Sequence, residues 1–130
     1  MSNENNRAKT KYEDSTQVDR EALEAVKYDY PGRETNLEII FPEFTSVCPW
    51  TGMPDFATLY INYVPREHCV EFKALKYYLT SFRNVGILQE HAVNQIRDDL
   101  VELLEPVSLT ITGEFNPRGG MKTVIKVSYP

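Results

Sequence analysis

The sequence predicts an α+β domain, a four-stranded antiparallel sheet with two helices on one face. Three observations carry this expectation. Two stretches of apolar–polar alternation precede residue 65 and two follow residue 106, and two stretches of helical periodicity lie between them. The order is therefore strand, strand, helix, helix, strand, strand, with helices and strands segregated as in α+β domains. The last two alternating stretches flank Asn116-Pro117-Arg118-Gly119-Gly120, a turn cluster that reads as the tip of an antiparallel hairpin.

The elements follow in order. Residues 1–20 are polar and of mixed charge with few apolar anchors, so a flexible tail is expected there, with residues 21–130 forming one domain. Leu23, Val26, Tyr28 and Tyr30 lead into the Pro31-Gly32 turn. In residues 36–41, Leu37, Ile39 and Phe41 share a face, and Pro42 is expected to stop this first strand because it lacks an N–H. Residues 56–64 form the second strand, with Ala57, Leu59, Ile61 and Tyr63 opposite Phe56, Thr58, Tyr60 and Asn62. Pro65 ends it, and Cys69-Val70-Glu71 is a short extended piece. Leu75, Tyr78, Leu79 and Phe82 recur at helical spacing and predict a helix over 73–82. Ala92, Val93, Ile96, Leu100, Leu103 and Leu104 predict a second over 88–104, with Pro106 just beyond it. Residues 107–115 and 121–129 alternate again. A four-stranded sheet leaves two open edges, which pairing with further copies of the chain would cover.

A chain of 130 residues with 42% hydrophobic content fits one globular domain. The net charge of −5 argues against generic electrostatic binding of nucleic acid. No apolar run approaches the roughly 20 residues of a membrane span, and Met1-Ser2-Asn3-Glu4-Asn5-Asn6 is too polar for a signal peptide. A cytoplasmic protein without membrane attachment is expected. Cys48 and Cys69 are expected as free thiols. Together with His68 and His91 they show no paired metal-ligand spacing, so no metal site is expected.

The chemistry concentrates in the loop Phe44-Thr45-Ser46-Val47-Cys48-Pro49-Trp50-Thr51-Gly52-Met53-Pro54-Asp55. A cysteine in general serves more often as a small buried hydrophobe than as a nucleophile. A thiol displayed in a Pro/Gly-containing loop between strands is nonetheless a candidate nucleophile, provided the fold favours its thiolate. Asp55, at the mouth of the second strand, reads as a turn carboxylate or as its acid partner. In the second case Trp50 and Phe56 would wall it into an apolar pocket that raises its pKa. Glu71 and Glu90 sit near helix starts, where they fit the dipole; each could also accept two parallel N–H bonds from a purine-like edge. Lys73, Lys76 and Arg118 read as solvated charges or as phosphate contacts.

Taken together these segments resemble the NADPH-dependent 7-cyano-7-deazaguanine reductases, the nitrile reductases of queuosine biosynthesis, in their short single-domain form. The resemblance runs from about Phe41 to Tyr129. It rests on Glu43-Phe44-Thr45-Ser46-Val47-Cys48-Pro49, Thr51-Gly52, Pro54-Asp55-Phe56-Ala57-Thr58, Val70-Glu71-Phe72-Lys73, Leu75-Lys76-Tyr77, Ser81-Phe82-Arg83-Asn84, Glu90 and Pro117-Arg118-Gly119-Gly120. It implies the tunnelling fold, in which the sheets of neighbouring subunits form a barrel. It further implies a homo-oligomer of two stacked pentamers, with active sites at subunit interfaces.

By the same resemblance Cys48 is the nucleophile that forms a thioimide with the nitrile, and Asp55 is the proton donor. NADPH, two per turnover, reduces the adduct to 7-aminomethyl-7-deazaguanine, with no metal. Val70, Glu71, Phe72, Gln89 and Glu90 match the substrate-binding segments, and Lys73, Lys76 and Arg118 are candidates for the NADPH phosphates. The substrate is a small deazapurine and not a nucleic acid. Two positions depart from the pattern: Phe72 stands where a small serine is common, and Gln89 stands where histidine is common, so Gln89 has no titrating role. Two other readings stay open on the residues, a zinc-dependent pterin or purine hydrolase of the same fold and a non-catalytic purine-binding module.

Overall fold

The computed structural model describes residues 13–130. Four long strands, β2 (Leu37–Val47), β3 (Pro54–Val64), β5 (Ser108–Arg118) and β6 (Met121–Tyr129), form one antiparallel sheet in the order β2-β3-β5-β6. Two short strands, β1 (Ala25–Lys27) and β4 (His68–Val70), form a separate antiparallel pair. Helices α1 (Phe72–Thr80) and α2 (Gln89–Leu104) connect β4 to β5. Among the described residues no helix is long and apolar enough to cross a membrane.

The period-2 pattern decides which face of the sheet is covered. The register aligns Ile39, Ile61, Ile111 and Val127 across all four strands, and beside them Phe41, Leu59, Gly113 and Ile125. Against this face α1 buries Ala74, Leu75, Tyr78 and Leu79, and α2 buries Ala92, Val93, Ile96, Leu100 and Leu104. Each fully buried Leu, Ile or Phe here contributes roughly 1.5–3 kcal/mol. The opposite face carries Ile40, Tyr60, Thr112 and Lys126 in one row and Glu38, Asn62, Thr110 and Ser128 in the next. Its polar character is the solvated half of the alternation.

Three expectations need correction. Pro42 does not stop the first strand. β2 is an edge strand, and Pro42 lies in a bulge between Phe41 and Phe44, where a missing N–H leaves no gap in a ladder. The bulge also reverses the alternation: Leu37, Ile39 and Phe41 face the core before it, and Phe44 and Ser46 after it. Residues 44–47 are thus strand, and the loop is only 48–53. The third concerns the chain start. Of the expected tail, residues 1–12 lie outside the described residues, whereas residues 13–20 dock on the domain. The Glu13 backbone bonds Asn84 and Gly86, Val18 is buried in the core, and Arg20 pairs with Asp99 at 3.2 Å.

α1 is capped by the Glu71 side chain, which accepts from the N–H groups of Lys73 and Ala74 at 3.0 and 2.9 Å. α2 starts after Leu88 without a side-chain cap, and it ends at Glu105 in the left-handed conformation ahead of Pro106.

Candidate active site

The loop after β2 is built to hold one thiol. The Cys48 N–H donates to Met53 O and the Gly52 N–H returns to Cys48 O, both at 2.9 Å. Gly52 has φ 73°, which a side chain would strain. Upstream, Val47 is clamped to the segment before α2, its N–H donating to Val85 O at 2.9 Å and its C=O accepting from Ile87 N–H at 3.0 Å. Cys48 is half-buried. Burial pushes its thiol up. The Thr51 hydroxyl and the backbone N–H groups of Thr51 and Trp50 outweigh that, and the thiol ends below its ordinary pKa despite the Asp55 charge. Nothing in the spacing had singled out Thr51. The available signal was a hydroxyl three residues past the thiol in a tight loop.

Asp55, second in β3, is only 6% exposed and faces the core side of the sheet. Its shift runs opposite to that of Cys48. Burial raises the carboxyl above the ordinary value, and Arg118 and the Gln89 side chain only partly offset it. The Arg118 guanidinium stands 3.2 Å from Asp55 Oδ1 and also donates to Pro54 O. Of the expected walls, Phe56 alternates to the other face and is exposed, and Trp50 is half-exposed, whereas Asp55 itself lies on the covered face of β3.

Cys48, Asp55, Gln89 and Arg118 therefore gather at one end of the sheet, with Glu90 exposed on the first turn of α2. The other predicted residues lie elsewhere. Val70 is buried and donates its N–H to the Tyr63 hydroxyl at 3.0 Å. Glu71 caps α1, and its carboxyl is held below the ordinary value by the N–H groups of Lys73 and Ala74. Phe72 is 56% exposed. Lys73 Nζ lies 6.0 Å over the Tyr77 ring. Phe72 and Lys76 line a groove of about 340 Å³ against Glu38, Ile39, Ile40 and Phe41. Ile40 pairs with Tyr60, five residues along β3 from Asp55. At the rise of an extended strand the two groups are roughly 16 Å apart. Among the described residues no cluster of three or more His, Cys, Asp or Glu side chains has metal-binding geometry.

A family model described as QueF-like protein matches residues 54–130, more than half of the chain. The chain belongs to the QueF-like family. Curated relatives named NADPH-dependent 7-cyano-7-deazaguanine reductase agree over most of its length. That of Caldicellulosiruptor bescii is 59% identical over 112 residues, covering 86% of both chains. That of Thermoanaerobacter pseudethanolicus is 59% identical, covering 86% of this chain and 84% of the relative. That of Chlorobaculum tepidum is 50% identical, covering 86% and 96%. Among solved structures, the apo form of the archaeosine synthase QueF-Like superposes with a TM-score of 0.66 at 18% identity, covering 76% of this chain and 95% of that one. At that identity the likeness concerns the fold alone.

Proposed function

We propose that this member of the QueF-like family is an NADPH-dependent 7-cyano-7-deazaguanine reductase that forms the aminomethyl product used in queuosine biosynthesis. The observation that carries the reading is the opposed tuning of two neighbours, a thiol lowered by three hydrogen-bond donors beside a carboxyl raised by burial. A nitrile needs both a nucleophile for its carbon and a proton for its nitrogen. The Cys48 thiolate attacks the carbon, an S–C bond forms, and one π pair of the C≡N moves to nitrogen, which takes the Asp55 proton. The product is a covalent thioimide. When bound, the reduced nicotinamide supplies the hydride for each of two reductions. In this mechanism Asp55 returns protons to nitrogen, and the C–S bond breaks between the reductions to release the thiol. With the thiol lowered and the carboxyl raised, the pair exchanges one proton in its singly protonated form. Its productive share, thiolate with protonated carboxyl, grows as the two pKa values approach.

Val70, Glu71, Phe72, Gln89 and Glu90 bind the deazaguanine in this reading, Glu71 and Glu90 through its N–H groups. Arg118, Lys73 and Lys76 hold the cofactor's phosphates. Arg118 fits this role: Gly119 and Gly120 beside it have φ of 60° and 83°, and no atom lies within 4 Å of where their Cβ atoms would stand. An anionic group can approach the backbone of that turn. Lys76 lies against the far part of β2, roughly 16 Å along the strand from Arg118, so two copies would bring the two sets onto one cofactor more closely than one chain does. This separation, with Ile40 54% exposed on the open edge strand, supports a homo-oligomeric barrel of the tunnelling type, a decamer of stacked pentamers.

The test combines purified protein, 7-cyano-7-deazaguanine and NADPH. Substrate-dependent NADPH oxidation is expected, together with an adduct on the intact protein mass when NADPH is withheld. Cys48→Ala should abolish both. Asp55→Asn should slow turnover by on the order of 10²–10⁴. A folded oligomer that oxidises no NADPH in the presence of substrate would sink the reading.

A further inference from the structure

Ser46 is fully buried, and its hydroxyl has no hydrogen-bond partner among the described residues. Burying a hydroxyl without a partner opposes folding, so such a group calls for an explanation. Its place suggests one. Ser46 is the direct cross-strand partner of Asp55, and both side chains lie on the core face. Directly opposed residues have Cβ atoms roughly 5 Å apart, within reach of a hydroxyl and a carboxyl. The bulge at Pro42 is what puts Ser46 there, because the alternation before it would turn residue 46 outward.

The sheet order then sets Asp55 between two polar stations. β3 lies between β2 and β5. Arg118 reaches the carboxyl from the β5 side, while Ser46 waits unpartnered on the β2 side. Cys48 also lies at the β2 side, two residues beyond Ser46. We propose that Ser46 is a positioning residue for the Asp55 carboxyl, accepting its proton in a hydrogen bond when the neutral acid turns from Arg118 toward Cys48. Arg118 favours the charged acid and a neutral hydroxyl can hold the protonated one, so the two stations divide the two protonation states. The groups facing Asp55 are Arg118 from β5, Cys48 from the loop and the uncharged Gln89 from α2. The proposal rests on Asp55 being the proton donor.

Ser46→Ala tests it. Removing a buried hydroxyl that bonds nothing should leave the melting temperature unchanged or raise it. Adduct formation without NADPH, followed by intact mass across a pH series, should slow on the order of tenfold on its plateau. Its low-pH limb should move to lower pH, because the protonated carboxyl loses its acceptor. Ser46→Thr, which keeps the hydroxyl, should restore the limb. A Ser46→Ala protein with the wild-type rate and limb overturns the proposal, as does one that loses stability while the limb stays in place. If the wild-type protein forms no adduct, the reading of Cys48 and Asp55 fails and this inference falls with it; a wild-type adduct matched by Ser46→Ala removes this inference alone.

Discussion

Replacing Arg118 with methionine keeps its apolar stem but removes the charge beside Asp55. Two unit charges 3.2 Å apart interact by ~1 kcal/mol in water and by ~5 kcal/mol at an effective dielectric constant of 20. The Arg118 side chain is 44% exposed, so solvent screens the pair and the lower figure applies. About 1 kcal/mol is about fivefold in an equilibrium. The equilibrium affected is the division of one proton between Cys48 and Asp55. Losing the guanidinium makes the protonated carboxyl easier to hold, so the productive form gains. The expected result is adduct formation up to about fivefold faster on the plateau, with its low-pH limb moved to higher pH. The assay is the intact-mass time course without NADPH, which separates Asp55 from any cofactor contact of Arg118. In steady state the same variant should show a raised KM for NADPH. A plateau that is unchanged or slower, with the limb in place, would refute the claim that Arg118 governs the acid.

Two further outcomes test the frame around the site. A Cβ added at Gly113 would stand 2.8 Å from Val93 Cγ2 and 3.1 Å from Phe115 Cε1, so Gly113→Ala should destabilise by about 1–3 kcal/mol in chemical denaturation, a cost of overpacking between β5 and α2. Ile40→Lys places a charge on the open edge strand and should lower the mass of the assembly in sedimentation, with turnover falling alongside; an unchanged mass would remove that edge from the interface.

The sequence made β3 and β5 readable because each buries one face throughout, so alternation and side-chain direction coincide from Ala57 to Tyr63 and from Leu109 to Phe115. β2 was half readable. A bulge reverses parity without changing composition, so Pro42 looked like a stop and Ser46 like part of a loop. The docked segment around Val18 escaped because its two 3₁₀ turns, Ser15–Gln17 and Arg20–Ala22, are too short to show a period, and one buried valine anchors an otherwise polar stretch. Cys48 and Asp55 stood out as chemistry. Their tuning did not, because it depends on backbone donors of Trp50 and Thr51 and on Gln89 and Arg118, which are far away in the chain. Glutamate is not among the usual capping residues, so the cap at Glu71 was also hidden.

That cap bears on how the two halves of the site work together. A carboxylate offers about four acceptor positions. Glu71 gives one oxygen to the Lys73 N–H and the other to the Ala74 N–H, which leaves acceptor capacity on each oxygen. The capping bonds favour the ionised carboxylate and fix its rotamer, so under the proposed function Glu71 would meet a ligand as a rigid, acceptor-only fork, the form suited to two parallel N–H donors. Within one chain, however, this fork stands at the far end of β2 from Cys48, across a gap longer than a bicyclic base. Under the proposed function, a base whose nitrile is captured by Cys48 of one subunit would engage Glu90, on the first turn of α2, and would reach a Glu71 only on a neighbour. The open edges of the sheet are where such a neighbour would add. On this reading assembly is part of catalysis: it brings a preformed recognition element from one copy to the tuned thiol–acid pair of another, which the fold of a single chain keeps apart.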